Sequence, residues 1–377
     1  MKRVCIFSLA YYPRVSGAEI AVREITDRIP DIEFHLVTQR FSPQDAREER
    51  IGNVVVHRVG NGASYVSKIL FVPYAALEAA RLHAKQPFDA WWALMSYMVL
   101  PVVLMRLGGI ARPYILTLQD GDPYEHVFER PFVRPIKPLL VSGFRHASVV
   151  QVISQYLGTW PARMGYMGAV EVIPNGVDIA RFAGERIPHE GTVLITTSRL
   201  VKKNAIDVII KTFALLPSDV TLDVLGSGVE EAALKALAQE CGVAARVRFL
   251  GTVDNRELPK YLHAADIFVR PSRSEGMGSS FIEAMAVGLP VVATQVGGIR
   301  DFLFDQERNP DRAPTGFAVD VDSPEQVAAA VKEILRNEEL VLQVVDNAAA
   351  LVRARYDWDR IAAHMRERVF GRVLKTD

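Results

Sequence analysis

Short apolar runs and amphipathic segments alternate along the whole chain. In the first half, runs rich in β-branched and aromatic residues predict six strands, at 4–9, 34–38, 54–58, 88–92, 114–118 and 149–153. Between them, apolar residues recur with the helical period at 18–28, 64–85 and 132–144. Strands that alternate with helices predict a parallel sheet with helices on its faces, which is a Rossmann-like layer.

The second half repeats this pattern. Strands are predicted at 192–197, 220–225, 246–250 and 266–269, and helices from residue 205, at 324–336 and at 338–355. Between the halves, Pro174-Asn175-Gly176 predicts a turn, because Asn-Gly tolerates positive φ and reverses the chain. A chain of 377 residues also exceeds one ordinary core. The sequence therefore predicts an α/β protein with domains at 1–180 and 181–355.

Composition and charge exclude several classes of protein. Lysine plus arginine equals aspartate plus glutamate, at 44 each, so the overall charge predicts no nucleic-acid partner. The two cysteines, Cys5 and Cys241, form no metal-binding pattern and are predicted to be reduced, as in the cytoplasm. The longest internal apolar stretch, 97–105, is far shorter than the roughly 20 residues that span a bilayer. We therefore expect a soluble cytoplasmic protein that is at most peripheral to a membrane.

The stretch 269–301 carries the clearest candidate chemistry. An apolar strand ends at Pro271, a polar loop follows at 272–278, and a helix is predicted to begin at Gly278-Ser279-Ser280. The amides of a first helical turn have no acceptors within the helix and carry the positive end of its dipole. The sequence therefore predicts a phosphate or other anion at Gly278, Ser279 and Ser280.

Two carboxylates flank this predicted anion site, Glu275 in the loop and Glu283 in the helix. A carboxylate suits the vicinal hydroxyls of a sugar or a ribose, because it accepts two hydrogen bonds side by side. Eight helical steps span roughly 12 Å, about the reach from a hexose across a diphosphate to a ribose. The alternative is that both glutamates are solvated charges, but the second glycine turn at Gly297-Gly298 favours a nucleotide-sugar site.

Taken together, these motifs resemble the signature of a known family. Glu275-Gly276-Met277-Gly278, Glu283-Ala284-Met285-Ala286, Gly288-Leu289-Pro290 and Gly297-Gly298 are similar to those of the retaining family-4 glycosyltransferases. The resemblance implies the GT-B fold, in which two Rossmann-like domains face a central cleft. It implies a nucleotide-diphosphate sugar as donor, with no separate cofactor. It also implies that 356–377 forms a closing helix that crosses back onto the first domain.

A basic pair after the strand at 192–197 is predicted to hold the diphosphate. Arg199 and Lys203 are four residues apart and can grip it from two sides, the arginine with its planar fork. The resemblance implies the same pair, although the lysine register is open between Lys202, Lys203 and the position of Asn204. We choose Lys203. The turn containing Val253 lines the base pocket in the family.

Further site residues of the first domain are implied by the resemblance. Gly17, in the loop before the first helix, is expected near the donor phosphate and the acceptor. Gln119 stands where the family usually has a histidine, so no general base is assigned there. Asp120 is expected either to orient the acceptor hydroxyl or to cap its loop. Asp120-Gly121-Asp122 also matches a two-aspartate metal motif, but such spacing recurs elsewhere in this chain, and we predict no metal.

The segment 130–146 interleaves basic and apolar residues. Arg130, Arg134 and Lys137 alternate with Phe132 and several prolines and leucines. Such a segment can lie on an anionic membrane or contact a lipid phosphate. The alternative is an amphipathic helix with a solvated basic side.

The prediction is a retaining glycosyltransferase that moves a hexose from a nucleotide-diphosphate sugar to an acceptor hydroxyl. The acceptor is expected to be a sugar or a lipid-linked sugar, in synthesis of cell-envelope polysaccharide or glycolipid. The alternatives are a sugar-nucleotide epimerase of the same fold and a non-catalytic nucleotide-sugar binder. A dehydrogenase is disfavoured, because the third glycine of a dinucleotide fingerprint beginning at Gly226-Ser227-Gly228 would fall at Glu231.

Overall fold

The computed structural model describes residues 1–375, and the chain forms two compact units. The first unit comprises residues 1–175 together with the chain from Trp358 onward, and the second comprises Gly176–Asp357. The predicted domain limits at 180 and 356 therefore shift by a few residues. Val177 belongs to the second unit because its amide donates to the Tyr356 carbonyl at 2.7 Å and it pairs with Asp357 in an isolated bridge.

The first unit contains an eight-stranded sheet in the order β3-β4-β2-β1-β5-β6-β7-β8. Its strands are β1 Lys2–Phe7, β2 Ile32–Gln39, β3 Glu48–Ile51, β4 Val54–Val59, β5 Ala90–Leu94, β6 Tyr114–Leu118, β7 Val149–Val152 and β8 Val170–Val172. β3 pairs antiparallel with β4, and every other strand pairing among residues 1–375 is parallel.

The helices of the first unit connect these strands and close the chain. They are α1 Gly17–Asp27, α2 Tyr65–Lys85, α3 Val99–Leu107, α4 Tyr124–Phe128, α5 Lys137–Arg145, α6 Gln155–Gly158, α7 Trp160–Arg163, α15 Trp358–His364 and α16 Gly371–Val373. A π-helical turn, Met365–Phe370, joins the last two. This final segment packs into the core of the first unit, where the Phe370 ring contacts both Phe34 and Trp92.

The second unit contains a six-stranded parallel sheet in the order β11-β10-β9-β12-β13-β14. Its strands are β9 Thr192–Thr197, β10 Val220–Leu225, β11 Val247–Gly251, β12 Ile267–Arg270, β13 Val291–Thr294 and β14 Phe317–Val319. Its helices are α8 Ile179–Phe182, α9 Ile206–Thr212, α10 Glu231–Glu240, α11 Leu258–His263, α12 Ser279–Ala286, α13 Pro324–Arg336 and α14 Glu338–Arg355. Buried aliphatic side chains such as Leu194, Leu222 and Val269 fill the core between sheet and helices.

The structure corrects several sequence predictions, among them the strand predicted at 4–9, which is Lys2–Phe7. β3 was not predicted, because a four-residue polar edge strand shows no burial pattern; it forms a hairpin with β4 through Gly52, whose φ is +58°. The strand predicted at 88–92 runs from Ala90 to Leu94, so its carboxyl end lies two residues later. The helix predicted at 132–144 begins only at Lys137, since a short 3-10 turn precedes it.

Each sheet has one point where the strand order reverses, and in open α/β sheets ligands bind beside the strand ends at that point. In the first unit it lies between β1 and β5, and in the second between β9 and β12. Among residues 1–375, no helix has both the length and the apolar composition that crossing a membrane requires.

Candidate functional site

The loops that follow β9 and β12 meet at the reversal point of the second sheet. Arg270, the last residue of β12, donates from Nη1 to the Thr197 carbonyl at the end of β9, at 3.2 Å. The chain then continues into residues 272–278, which we call the glycine loop, and into α12. These two segments carry the residues predicted to bind a nucleotide sugar. The structure thus brings the basic loop after β9 and the glycine loop after β12 to one edge of one sheet.

The buried Arg270 side chain makes the hydrogen bonds that hold the glycine loop in place. Arg270 is 5% exposed, and its guanidinium lies over the Phe281 ring, 4.3 Å from the ring centre. Nη1 donates to Ser280 Oγ at 2.5 Å, Nε donates to Ser272 Oγ at 3.2 Å, and Nη2 donates to the Glu275 carboxylate. Arg270 was not predicted as a site residue. The available signal was an arginine at the end of an otherwise apolar strand, directly before Pro271.

Glu275 is anchored at both its side chain and its backbone. Beside the ion pair with Arg270, its Oε1 accepts the Gly276 amide at 3.1 Å. Its carbonyl accepts the Gly298 amide at 3.2 Å, and a Cβ on Gly297 would lie 1.9 Å from the same carbonyl oxygen. Gly297, with φ +52°, is therefore required for the close approach of this second glycine turn to the loop.

The helix predicted to begin at Gly278 is α12, and the structure shows why glycine stands there. Gly278 is the N-cap with φ +85°, and a Cβ at this position would lie 2.5 Å from the Phe281 ring. Ser279 and Ser280 form the first turn, and Arg270 holds the Ser280 hydroxyl. The predicted anion-binding residues thus lie at the amino end of an eight-residue helix.

Glu283 lies one turn further along α12, where it is partly buried. Burial raises the pKa of Glu283 to about 7, while the nearby Arg181 and Arg270 guanidinium groups act to lower it. Near neutral pH this carboxyl group therefore exchanges a proton, and it can either donate or accept a hydrogen bond.

The basic loop after β9 exposes its arginine and buries its asparagine. Arg199 is exposed, and the buried Asn204 donates from Nδ2 to the Arg199 carbonyl at 2.7 Å. Lys202 is exposed and Lys203 is partly buried in a 3-10 turn. The Arg273 amide donates to the Lys203 carbonyl at 2.7 Å, which fixes the turn against the glycine loop. Position 204, the alternative position for the diphosphate-binding lysine, thus holds an asparagine whose side chain supports the backbone of the loop.

The glycines of the failed dinucleotide fingerprint have a packing role. A Cβ on Gly226 would lie 1.8 Å from the Ser198 carbonyl oxygen, and one on Gly228 would lie 2.2 Å from that of Leu200. Ser227 Oγ and Thr252 Oγ1 are 2.9 Å apart, so the loop after β11 contacts the loop after β10. Val253, predicted to line a base pocket, follows Thr252 and is partly buried.

In the first unit, Gln119 and Asp120 directly follow the central strand β6. Asp120 is buried after β6, and its Oδ2 accepts the hydroxyl of the buried Ser96, after β5, at 2.8 Å. Burial raises the pKa of Asp120 to about 6, although the Ser96 hydrogen bond lowers it. Gln119 Oε1 accepts from Asn175 Nδ2 at 2.9 Å. Ser96 was not predicted, because the strand before it was placed two residues too early.

Gly17 and the two-aspartate motif complete the predicted residues. Gly17 is the exposed first residue of α1, next to a capping box in which the Ser16 amide donates to Glu19 Oε2 at 2.7 Å. Within the described part of the chain, no group of three or more His, Cys, Asp or Glu side chains is arranged to hold a metal ion.

Comparison with known proteins gives the family. The model of glycosyltransferase family 4 matches residues 15–181, and that of glycosyl transferases group 1 matches 179–351. The chain is 32% identical over 407 residues to D-inositol 3-phosphate glycosyltransferase of Arthrobacter sp., covering 96% of this chain and 93% of that relative. The chain belongs to the family-4 glycosyltransferases of the GT-B fold. The resemblance recognised from the glycine and glutamate motifs is thereby confirmed.

Other relatives extend over the same length. A GDP-mannose-dependent alpha-(1-6)-phosphatidylinositol monomannoside mannosyltransferase of Mycobacterium tuberculosis is 27% identical over 398 residues, covering 98% of this glycosyltransferase and 99% of that relative. Sucrose-phosphate synthase from Thermosynechococcus elongatus shares the fold with a TM-score of 0.85, at 20% identity and coverage of 98% and 99%. Anabaena HepE, solved in complex with UDP-glucose, has a TM-score of 0.79 at 19% identity and coverage of 98% and 100%. The predicted GT-B fold is confirmed.

Proposed function

We propose that this glycosyltransferase transfers a hexose from a nucleotide-diphosphate sugar to an acceptor hydroxyl with retention of configuration. The observation that carries the proposal is the arrangement at the β9–β12 reversal point, where Glu275 and Glu283 accompany the amino end of α12. A helix amino end suits a phosphate, and carboxyl groups suit sugar hydroxyls. One nucleotide-sugar ligand satisfies both kinds of group.

In this proposal the second unit binds the donor. The amides of Gly278, Ser279 and Ser280 receive the donor's phosphate or sugar, and Glu275 binds the sugar hydroxyls. Arg270 fixes the Glu275 carboxylate in one orientation through its ion pair. Glu283 binds the ribose, and Val253 lines the pocket for the base.

Arg199 and Lys203 stabilise the departing nucleoside diphosphate. Negative charge grows on the β-phosphate as the bond from the sugar C1 to the phosphate oxygen breaks, so fixed cations lower the barrier. Asn204 and Arg273 hold the backbone of this loop and so position both side chains. We propose that this pair stabilises the negative charge that a metal ion could otherwise stabilise, and that the enzyme needs no metal or separate cofactor.

The first unit, in the same proposal, binds the acceptor. Asp120 orients the acceptor hydroxyl, Gly17 allows close approach of the chain, and Gln119 hydrogen-bonds to a sugar hydroxyl. The new bond from the acceptor oxygen to C1 forms on the face that the phosphate leaves, and the acceptor proton passes to that phosphate. This step requires no histidine, which fits a glutamine at position 119.

The relatives suggest which substrates to try first. We propose GDP-mannose with an inositol-containing lipid acceptor as the first pair, because a full-length relative bears that donor and that lipid in its name. UDP-glucose is the second donor, because HepE of the same fold was solved with it. Such a reaction would contribute to glycolipids of the cell envelope.

The test is thermal stabilisation by a panel of nucleotide sugars, followed by product analysis. A donor that binds the folded state raises the melting temperature by mass action. Glu283→Ala and Arg199→Ala are expected to lose the response to that donor. Arg248→Ala, which replaces an exposed arginine on β11, is expected to keep it. No response to any nucleotide sugar would contradict the proposal.

Product analysis then separates the reactions. The proposal predicts a glycoside with the anomeric configuration of the donor sugar, formed only when acceptor is present and unaffected by a chelator. Conversion of the free nucleotide sugar into its epimer without acceptor would instead identify an epimerase. Binding without any product from a broad acceptor panel would identify a non-catalytic binder.

A further inference from the structure

A buried carboxyl group and a buried hydroxyl group meet beyond the ends of two neighbouring strands of the first unit. Asp120, two residues after β6, is 6% exposed, and Ser96, two residues after β5, is fully buried. Ser96 Oγ donates to Asp120 Oδ2 at 2.8 Å. The two strands pair in parallel, so the segments that follow them leave the sheet at the same edge. A carboxyl group buried in this way needs hydrogen-bond donors, because burial without them is costly.

Ser96 acts on this carboxyl group through two donors. Burial raises the pKa of Asp120 to about 6, and the Ser96 hydroxyl and the Ser96 backbone amide both act to lower it. Two donors on one residue favour the ionised carboxylate and restrict its orientation. Because a carboxylate can accept about four hydrogen bonds, it keeps capacity for a further donor, such as the hydroxyl of a sugar.

Asp122 and Tyr97 also interact electrostatically with Asp120. The Asp122 carboxylate, in the same loop, acts to raise the pKa of Asp120. The Tyr97 hydroxyl donates to the Val127 carbonyl, and burial raises the pKa of Tyr97 above its ordinary value of 10. Tyr97 is therefore neutral in the range where Asp120 titrates, and the Ser96 donors oppose the effects of burial and of Asp122.

The residue before Ser96 has a backbone conformation that glycine normally adopts. Met95 has φ +74° and ψ 157°, a combination that is costly for a residue with a Cβ. Its amide donates to the Thr117 carbonyl at 2.8 Å, and its carbonyl accepts the Met98 amide at 3.1 Å. These hydrogen bonds hold Met95 between β5 and the 3-10 turn Ser96–Met98. Such conformations concentrate at functional sites, and this one sets the direction in which Ser96 leaves the strand.

We propose that Ser96 is a positioning residue of the acceptor site. Its hydroxyl and amide hold the Asp120 carboxyl group in the orientation that receives the acceptor hydroxyl, and the Met95 backbone fixes Ser96 in place. The inference rests on the proposed function, in which Asp120 orients that hydroxyl, and Ser96 itself contacts no substrate. If the two residues formed only a buried polar pair of the core, losing Ser96 would lower stability without changing how activity depends on pH.

The first experiment follows the Asp120 carboxyl group directly and needs no substrate. The full chain is labelled with carbon-13 at the aspartate carboxyl carbon, and the Asp120 signal is identified by its loss in Asp120→Asn. In the native chain its NMR titration is expected to have a midpoint of about 6. Ser96→Ala removes the hydroxyl that lowers this pKa, so its midpoint is expected about one pH unit higher. An unchanged midpoint in Ser96→Ala would overturn the proposal.

Ser154→Ala is the matched control for the loss of a buried serine hydroxyl. Ser154 is also fully buried in the first unit, where its Oγ accepts the Leu157 amide at 3.3 Å at the start of α6. Its replacement is expected to lower the melting temperature and to leave the Asp120 midpoint at the native value. Ser96→Thr, which keeps a hydroxyl, is expected to titrate like the native chain.

Two further variants test the backbone of Met95. Met95→Gly and Met95→Val both remove its partly buried side chain, but only glycine adopts φ +74° without strain. Met95→Gly is expected to keep the native Asp120 midpoint, and Met95→Val to show the raised midpoint of Ser96→Ala. A native midpoint in Met95→Val would contradict the role given to Met95. Since Ser96 is intact in both, they also test the proposal if a Ser96 variant does not fold.

Kinetics then tests the link to the reaction, with GDP-mannose and phosphatidylinositol in detergent micelles as the first pair. The acidic limb of kcat/KM is expected at the Asp120 midpoint of the native chain and about one pH unit higher in Ser96→Ala. At neutral pH the kcat of Ser96→Ala is expected to fall roughly tenfold or more, because a misplaced group orients the acceptor poorly. Its KM for GDP-mannose and the acidic limb of Ser154→Ala are expected to be unchanged.

The outcomes separate this inference from the proposed function. If Ser96→Ala moves the NMR midpoint but leaves the acidic limb and kcat at their native values, Ser96 holds Asp120 without serving the reaction, and the proposal is overturned. If the native chain forms no product with any donor of the panel, the proposed function fails. The titrations of the Ser96 and Met95 variants then decide whether these residues hold the Asp120 carboxyl group.

Discussion

The Arg270 guanidinium donates to the Glu275 carboxylate within the loop that leads into α12, and both side chains are largely buried, at 6% and 13% exposed. A partly buried ion pair contributes little net stability against apolar substitutes, but removing one partner leaves the other charge uncompensated. Arg270 also holds Thr197, Ser272 and Ser280. The pair therefore fixes the geometry of the glycine loop more than it adds stability.

Replacing Arg270 by methionine is expected to destabilise the protein strongly. The change leaves the Glu275 carboxylate without its partner and removes several hydrogen bonds, which costs about 3–5 kcal/mol in comparable buried pairs. Urea unfolding of the native chain and of Arg270→Met measures the difference. Arg248→Met is the control: Arg248 binds Asp223 with two hydrogen bonds, but its side chain is 56% exposed, so we expect a loss of about 1 kcal/mol or less. Equal losses in the two variants would contradict this account.

Gly297→Ala is expected to disturb the same loop through its backbone. The added Cβ would meet the Glu275 carbonyl oxygen at 1.9 Å, so the Glu275 segment must move, and the donor-induced rise in melting temperature should fall. Gly242→Ala is the matched control, because Gly242 has a similar φ of +69° but no atom within 4 Å of the added Cβ. It should cost about 1 kcal/mol of backbone strain and leave the response to the donor intact. If both variants respond to the donor alike, the contact between Gly297 and Glu275 does not shape the site.

Lys203→Met is expected to lower turnover. If Lys203 stabilises the departing diphosphate, its loss should reduce kcat by roughly 100-fold or more, as for the removal of one fixed donor to a developing charge. Lys202→Met removes an exposed charge one residue earlier and should reduce kcat by less than about threefold, as expected of a surface substitution. Steady-state kinetics of the two variants decides the register. A larger effect at Lys202 would assign the role to that lysine.

Much of the fold could be predicted because parallel strands and helices have distinct apolar periods. The start of α12 at Gly278 was predictable, since a glycine next to paired serines before an apolar helical period leaves few alternatives. Arg270 and Ser96 were missed for different reasons. A buried arginine is identified only by partners such as Thr197, which lies 73 residues earlier in the chain. Ser96 lies 24 residues from the Asp120 carboxyl group that it contacts, and a strand boundary placed two residues early hid it.

The charge states of the site carboxyl groups could also not be predicted from local sequence patterns. The sequence places both Glu275 and Glu283 beside the glycine loop and gives no sign that their charge states differ. The structure distinguishes them: Glu275 is paired with Arg270, whereas burial raises the pKa of Glu283 to about 7. Burial and distance to cations depend on how α12 packs in its unit, which the spacing of residues in the sequence does not encode.

The raised pKa of Glu283 predicts a stability that falls as pH increases from about 4.5 to about 7. In that window the unfolded chain releases the Glu283 proton while the folded chain retains it, so rising pH favours unfolding. Below about 4.5 both states are protonated, and above about 7 both are ionised, so the contribution is constant outside the window. Its full size is about 3 kcal/mol at most.

Glu283→Gln is expected to remove this dependence. Melting temperatures of the native chain and the variant, measured between about pH 4 and pH 8, should diverge in favour of the variant as pH rises, by roughly 2–4 °C per kcal/mol. Subtracting the two curves cancels the contribution of Asp120, whose pKa is also raised. Glu339→Gln, at an exposed position of α14, makes the same change in formal charge and should show no such divergence. Parallel curves for the native chain and Glu283→Gln would mean that this carboxyl group is ionised and solvated at neutral pH, and its proposed contact with the ribose would then use the carboxylate alone.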